Sequence, residues 1–226
     1  MELGNLEQNL SHQFKNSDLL KEALTHRSYL NEVPDWGLPH NERLEFLGDA
    51  VLELAVTEAL YHRYPAYTEG QLTPIRAALV NYQMLAAIAR EIDLEQFILL
   101  SRGEAKDTGR ARDVILANAI EAVIGALYLD GGYLPAKRFV ESAVIAHLDE
   151  VMRHSLYRDA KSALQEKIQE ERKVTPTYRV LEESGPDHAK VFTVGVYFAE
   201  KLIATGTGMS KQDGEVEAAK KALEVL

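Results

Sequence analysis

Asn41-Glu42-Arg43-Leu44-Glu45-Phe46-Leu47-Gly48-Asp49 sets three carboxylates at i, i+3 and i+7 of one expected helix. A helix advances about 100° per residue, so Glu42, Glu45 and Asp49 fall within about 60° of arc. Leu44, Leu47, Val51, Leu54 and Ala55 gather on the opposite side as an expected core face. Arg43 points elsewhere and cannot neutralise the stripe. Like charges at these spacings repel by a few tenths of a kcal/mol per pair. The stripe is therefore either a solvated acidic face or a collector of cations. Two residues favour the second reading. Gly48 sits mid-helix, where glycine costs roughly 1 kcal/mol relative to alanine, and that suits the close approach of another backbone. Phe46 lies beside the stripe and off the core face, where an aromatic suits a partner surface.

The second chemical segment is Leu116 to Leu129, in which Glu121 is the only charge between Asp113 and Asp130. Asn118 precedes it by three residues, on the same helical face. A carboxylate on an otherwise apolar helix must be paired, protonated or bound to metal. One reading pairs Glu121 with an arginine from another helix. The other sets Asn118 and Glu121 against Glu45 and Asp49 in a packed helix pair, giving an all-oxygen donor set of the kind Mg2+ or Mn2+ prefers. Glu69 opens the next helix and, taken alone, reads as an ordinary acidic residue favoured by the helix dipole.

Rigid elements are needed to hold these groups. The chain has 226 residues, no Cys, and 25 Lys+Arg against 35 Asp+Glu for a net charge of −10. Cys nucleophiles, Cys-based zinc sites and disulfide frameworks are excluded. No apolar run reaches the roughly 18 residues of a membrane span, and the acidic N-terminus does not read as a signal peptide. The expectation is a soluble, cytoplasmic protein with no membrane partner and no organic cofactor. The first 157 residues hold 14 basic and 23 acidic residues, so nearly all the excess negative charge lies there.

Apolar residues at three- and four-residue spacing predict helices near 16–30, 41–63, 70–90, 110–130 and 135–153. After about residue 157 the pattern changes. Residues 159–171 form an amphipathic helix, Thr177 to Leu181 and Lys190 to Phe198 read as strands, and Lys201 to Thr205 offers a third that Gly206 to Ser210 breaks. A helix over about 211–225 follows. The fold class is an all-α domain over 5–150, a linker over 151–158, and a small α+β domain of order α-β-β-β-α over 159–226.

These residues resemble bacterial ribonuclease III. Asn41 to Asp49 matches that family's signature, Glu69 to Thr73 with Arg76, Leu79 and Val80 its next motif, and Leu116 to Asp130 its remaining acidic helix. The tail resembles the double-stranded RNA-binding domain that follows, through Gly185 to Lys190 and Gly206 to Lys211. The resemblance implies a Mg2+-dependent endoribonuclease, with Mn2+ as a possible substitute, working as a homodimer on double-stranded RNA. Glu45, Asp49, Asn118 and Glu121 would hold the metal, Glu42 and Glu69 would assist near the scissile strand, and Phe46 would lie at the dimer contact. In-line attack of water would leave 5′-phosphate and 3′-hydroxyl ends, in precursors of rRNA, tRNA and mRNA. One departure matters: the family usually has Asp where this chain has Asn118, so the cluster loses a charge.

A-form RNA displays 2′-hydroxyls in a wide minor groove and hides its bases in the major groove. Ser162, Gln165 and Glu166 share a helix face suited to those hydroxyls. His188 stands at a loop tip, and Lys211 begins a helix, a plausible phosphate contact. No Gly-x-Ser-x-Gly elbow, His-Glu-x-x-His helix or Walker-type loop is present. The main alternative is a duplex-RNA-binding protein with an impaired nuclease domain, for which Asn118 is the argument; an all-α scaffold without RNA is the third reading.

Overall fold

The computed structural model describes residues 3–153, 160–185 and 190–226. The chain divides into two compact units, Met1–Tyr157 and Arg158–Leu226.

The first unit is built from α1 (Gly4–Asn9), α2 (Ser17–Ala23), α3 (Arg27–Glu32), α4 (Glu42–Arg63), α5 (Glu69–Val80), α6 (Tyr82–Glu91), α7 (Arg110–Gly131), α8 (Tyr133–Ala143) and α9 (Leu148–Arg153), joined by turns and short 3-10 segments. Among its described residues the only strand-like pairing is a single bridge between Thr25 and Leu99. At its centre α4 packs along α7. From Ile115 to Leu127, α7 is buried on almost every side, as befits a helix apolar all round. One expectation needs correcting: α7 is long and apolar enough by composition to cross a membrane, with mean hydropathy 1.5. In this fold its apolar surface packs against α2, α4, α6 and α8 instead.

Periodicity ran across three breaks. The helix expected over 70–90 is two, parted at Asn81, whose extended backbone (ψ 156°) and side chain, accepting from Met84 N at 2.9 Å, start α6. The helix expected over 16–30 parts before α3, where His26 Nδ1 accepts from Ser28 N at 3.3 Å. The helix expected over 135–153 parts between α8 and α9, and residues 151–153, read as linker, complete α9. A capping residue restarts a helix without disturbing the apolar spacing around it. The core face of α4 is also rotated from expectation. Leu44, Val51 and Ala55 are buried with Leu52 and Val56, but Leu47 is half-buried and Leu54 is 56% exposed.

The second unit is α10 (Ala160–Arg172), β1 (Pro176–Ser184), β2 (Val191–Phe198), β3 (Lys201–Gly208) and α11 (Lys211–Glu224). The strands form an antiparallel sheet in the order β1-β2-β3. Leu164, Ile168, Val196, Phe198, Ala218, Ala219 and Ala222 make its core. The third strand does not stop at Thr205: Gly206 lies within it and Gly208 ends it. These glycines admit α11 against the sheet. A Cβ at Gly206 would sit 2.2 Å from Ala218 N, and one at Gly208 2.4 Å from Asp213 Cβ. The composition that read as a break is a close-packing seam.

Candidate active site

Two glycines bring the acidic residues together. A Cβ on Gly48 would lie 1.7 Å from the Glu121 carbonyl oxygen, and one on Gly125 would lie 2.3 Å from the Leu44 carbonyl oxygen. The backbones of α4 and α7 therefore touch at this crossing, with no side chain between them. Gly48 stands near the centre of the buried arc of α4, which explains why that arc is rotated. Glu45 and Asp49 flank Gly48, and Asn118 and Glu121 lie on the facing helix, so the crossing sets the four polar groups beside one another.

Electrostatics report the same convergence. Burial, then the charges of Asp49, Glu45 and Glu53, push the Glu121 carboxyl from its ordinary 4.5 up to about 7. Glu45 is also raised, by burial, then Glu42 and Asp49, against a lowering hydrogen bond from Asn118. Among the described residues no ion pair engages Glu121, so the arginine-paired reading of this residue is set aside. Arg43 acts on Glu22 instead. Among the described residues Glu45, Asp49 and Glu121 repel one another with no ion pair to a protein cation, whereas Glu42 and Glu53 at the margin have cationic neighbours. Among the described residues no three His, Cys, Asp or Glu side chains converge as a preformed metal cage. The donor set is nonetheless oxygen only and short of positive charge, the chemistry a hard divalent cation fits.

The remaining site residues are distributed more widely. Glu42 is exposed and faces Arg27 at 3.6 Å and His40 at 3.9 Å. Glu53 continues the acidic stripe four residues beyond Asp49 and was missed; the i, i+4 spacing was the signal for it. Its carboxylate is held by Arg76 Nε at 2.7 Å. Glu69 does not join the cluster within this chain. It bonds Thr73 at 3.1 Å and lines a cavity of about 340 Å³ with Leu60, Tyr61, Tyr67, Leu72 and Arg76. That cavity includes Thr57, eight residues past Asp49 and so about 12 Å farther along α4. Phe46 is 83% exposed, and Tyr61 is 67% exposed.

In the second unit Ser162, Gln165 and Glu166 are exposed on α10, opposite the buried Ala160, Leu164 and Ile168. Lys211 opens α11 after the N-cap Ser210, whose Oγ accepts from Asp213 N at 3.1 Å. His188 lies outside the described residues.

Comparison with known proteins bears on the two units. A family model described as ribonuclease-III-like matches residues 16–148, and one described as a double-stranded RNA binding motif matches residues 160–226. Ribonuclease 3 of Borreliella afzelii is 46% identical over 225 residues, covering 100% of this chain and 91% of the relative. Ribonuclease 3 of Carboxydothermus hydrogenoformans is 46% identical over 224 residues, covering 99% and 95%. The nuclease domain of ribonuclease III from Campylobacter jejuni, in a structure describing flexibility in the region involved in dimer formation, superposes with TM-score 0.57 at 43% identity, covering 63% of this chain and 98% of that one. These relatives do not favour a binding protein with an idle nuclease domain. With its acidic helix crossing and its α-β-β-β-α tail, the chain belongs to the ribonuclease III family of double-stranded RNA endoribonucleases.

Proposed function

We propose that Glu45, Asp49 and Glu121, with the Asn118 amide, hold a divalent cation, Mg2+ or Mn2+, and that the chain hydrolyses duplex RNA to 5′-phosphate and 3′-hydroxyl ends. The observation that carries this reading is the Glu121 carboxyl, raised to about 7 by burial and by Asp49 and Glu45 across the glycine crossing. When bound, the cation supplies Lewis-acid charge to the reacting phosphate. The chain's own residues do the rest. Asn118 donates to Glu45 and favours its anionic form. The α4–α7 backbone contact fixes the spacing of the acids, which is the positioning in-line displacement demands. Glu42 and Glu69 stand as auxiliary acids, Glu69 only by its match to the family motif. Ser162, Gln165, Glu166, His188 and Lys211 are assigned to the duplex. Processing of rRNA, tRNA and mRNA precursors in the cytoplasm is the corresponding cellular role.

A homodimer is part of the proposal. Phe46, Leu54 and Tyr61 are exposed at spacings that fall within about 80° of arc on α4. The apolar cavity beside Tyr61 lies near the same stripe. A two-fold axis sets one patch against its own copy, so a projecting Phe and a nearby cavity can satisfy each other.

The test incubates duplex RNA with the protein in Mg2+, in Mn2+ and in EDTA, and maps the product ends. Cleavage is expected with either metal, and E121Q should lower it by orders of magnitude. Equal cleavage in EDTA, or full activity in E121Q, sinks the metal assignment.

A further inference from the structure

The end of β1 places a carboxylate among the cations of the RNA-binding unit. Glu183 pairs in register with Phe192 of β2, so both side chains leave the same face of the sheet. Lys211 Nζ sits 5.6 Å from the centroid of the Phe192 ring and 3.3 Å from Glu183 Oε1. Lys190 Nζ lies 3.6 Å from the other oxygen, Glu183 Oε2. One carboxylate thus spans two lysines, one oxygen to each. The start of α11 does not require it, because Ser210 already caps that helix and Asp213 stands in its first turn. All three charged side chains remain partly exposed, within reach of a ligand.

We propose that Glu183 is a built-in competitor for the RNA phosphates, holding Lys190 and Lys211 until a duplex displaces it, and so sets the affinity of this domain for RNA. The inference rests on the assignment of Lys211 to the phosphate contact. Its physical basis is the exchange that binding requires. A phosphate that takes Lys211 must break an existing ion pair and leave Glu183 beside a polyanion. Exposed pairs of this kind are weak, so the carboxylate tunes binding and does not block it. Each neutralised phosphate releases a counterion, whereas the freed Glu183 takes one up. Removing the carboxylate therefore strengthens binding and steepens its salt dependence together.

The experiment measures binding of the full chain, in EDTA, to a duplex longer than the roughly 16 base pairs one such domain spans, across a salt series. E183Q and E183A should each tighten binding at low salt by about two- to tenfold, with log K falling more steeply against log[salt]. E200Q removes a carboxylate that pairs with Arg179, and should change binding less than about twofold. In a K190A/K211A background, E183Q should give little gain. Unchanged or weaker binding in both Glu183 variants, at unchanged melting temperature, overturns the proposal. So does a full gain that survives loss of both lysines, which would make the effect general repulsion. If K190A/K211A itself binds as tightly as the parent, the lysine contact was misassigned and the proposal falls with it.

Discussion

Glu121 gains a proton more readily in the folded chain than in the unfolded one, since its carboxyl rises from 4.5 to about 7 on folding. The folded state therefore binds more protons between those values, and its stability falls as pH rises through them. In EDTA, the melting temperature of the parent should decline across this window relative to E121Q, which has no carboxyl to ionise; parallel profiles would contradict the shift. Asn118 makes a second test at the same scale. N118D replaces a donor to Glu45 with a like charge. Affinity for Mn2+, measured by titration calorimetry, should rise on the order of tenfold as the ligand charge increases, and the metal-free protein should melt lower. Unchanged affinity would mean that the Asn118 position does not contribute to the site.

Among the helices, the contact that matters most is the crossing of α4 and α7. G48A would push a methyl into the Glu121 carbonyl, 1.7 Å from its oxygen. Backbone cannot yield there as a side chain can, so the helices must separate. A loss of about 3 kcal/mol in urea denaturation is expected, with the Glu121 shift relaxed as the acids part. Gly70, in the first turn of α5, has nothing within 4 Å of its Cβ position. G70A should be neutral or stabilising by up to about 1 kcal/mol. Similar losses in both variants would mean that glycine at 48 matters for something other than close approach.

For the whole molecule, the exposed stripe on α4 bears on assembly. Phe46 is too large and too exposed, at 83%, to belong to the core of a single copy. F46D should shift the sedimentation of the protein toward the monomer, weakening association by about 2 kcal/mol or more, while its melting temperature in dilute solution stays near that of the parent. Unchanged sedimentation would remove Phe46 from the interface. The net charge of −10 is no obstacle to binding a polyanion. The excess acid lies in the nuclease unit, and the RNA-binding unit is nearly balanced.

Residue types and local periodicity were enough for the two fold classes and for the α-β-β-β-α order of the second unit, and they singled out the acidic helices as candidates. Three acids spaced along one helix, a lone carboxylate on an apolar helix and a glycine where none is favoured are all local facts. The acids leave a solvated face or an ion pair open, and the mid-helix glycine suits close approach without requiring it. Breaks at Asn81 and His26, the exposure of Leu54, the inclusion of Gly206 in β3 and the separation of Glu69 from the acidic cluster were not legible in that way. Each depends on which neighbour fills the space: a cap restarts a helix inside continuous apolar spacing, and a glycine marks a turn or a contact according to what packs on it. Tertiary structure alone decided that Gly48 and Gly125 meet opposite backbone carbonyls, because a sequence pattern fixes which side of a helix is apolar but not the depth at which another helix will sit.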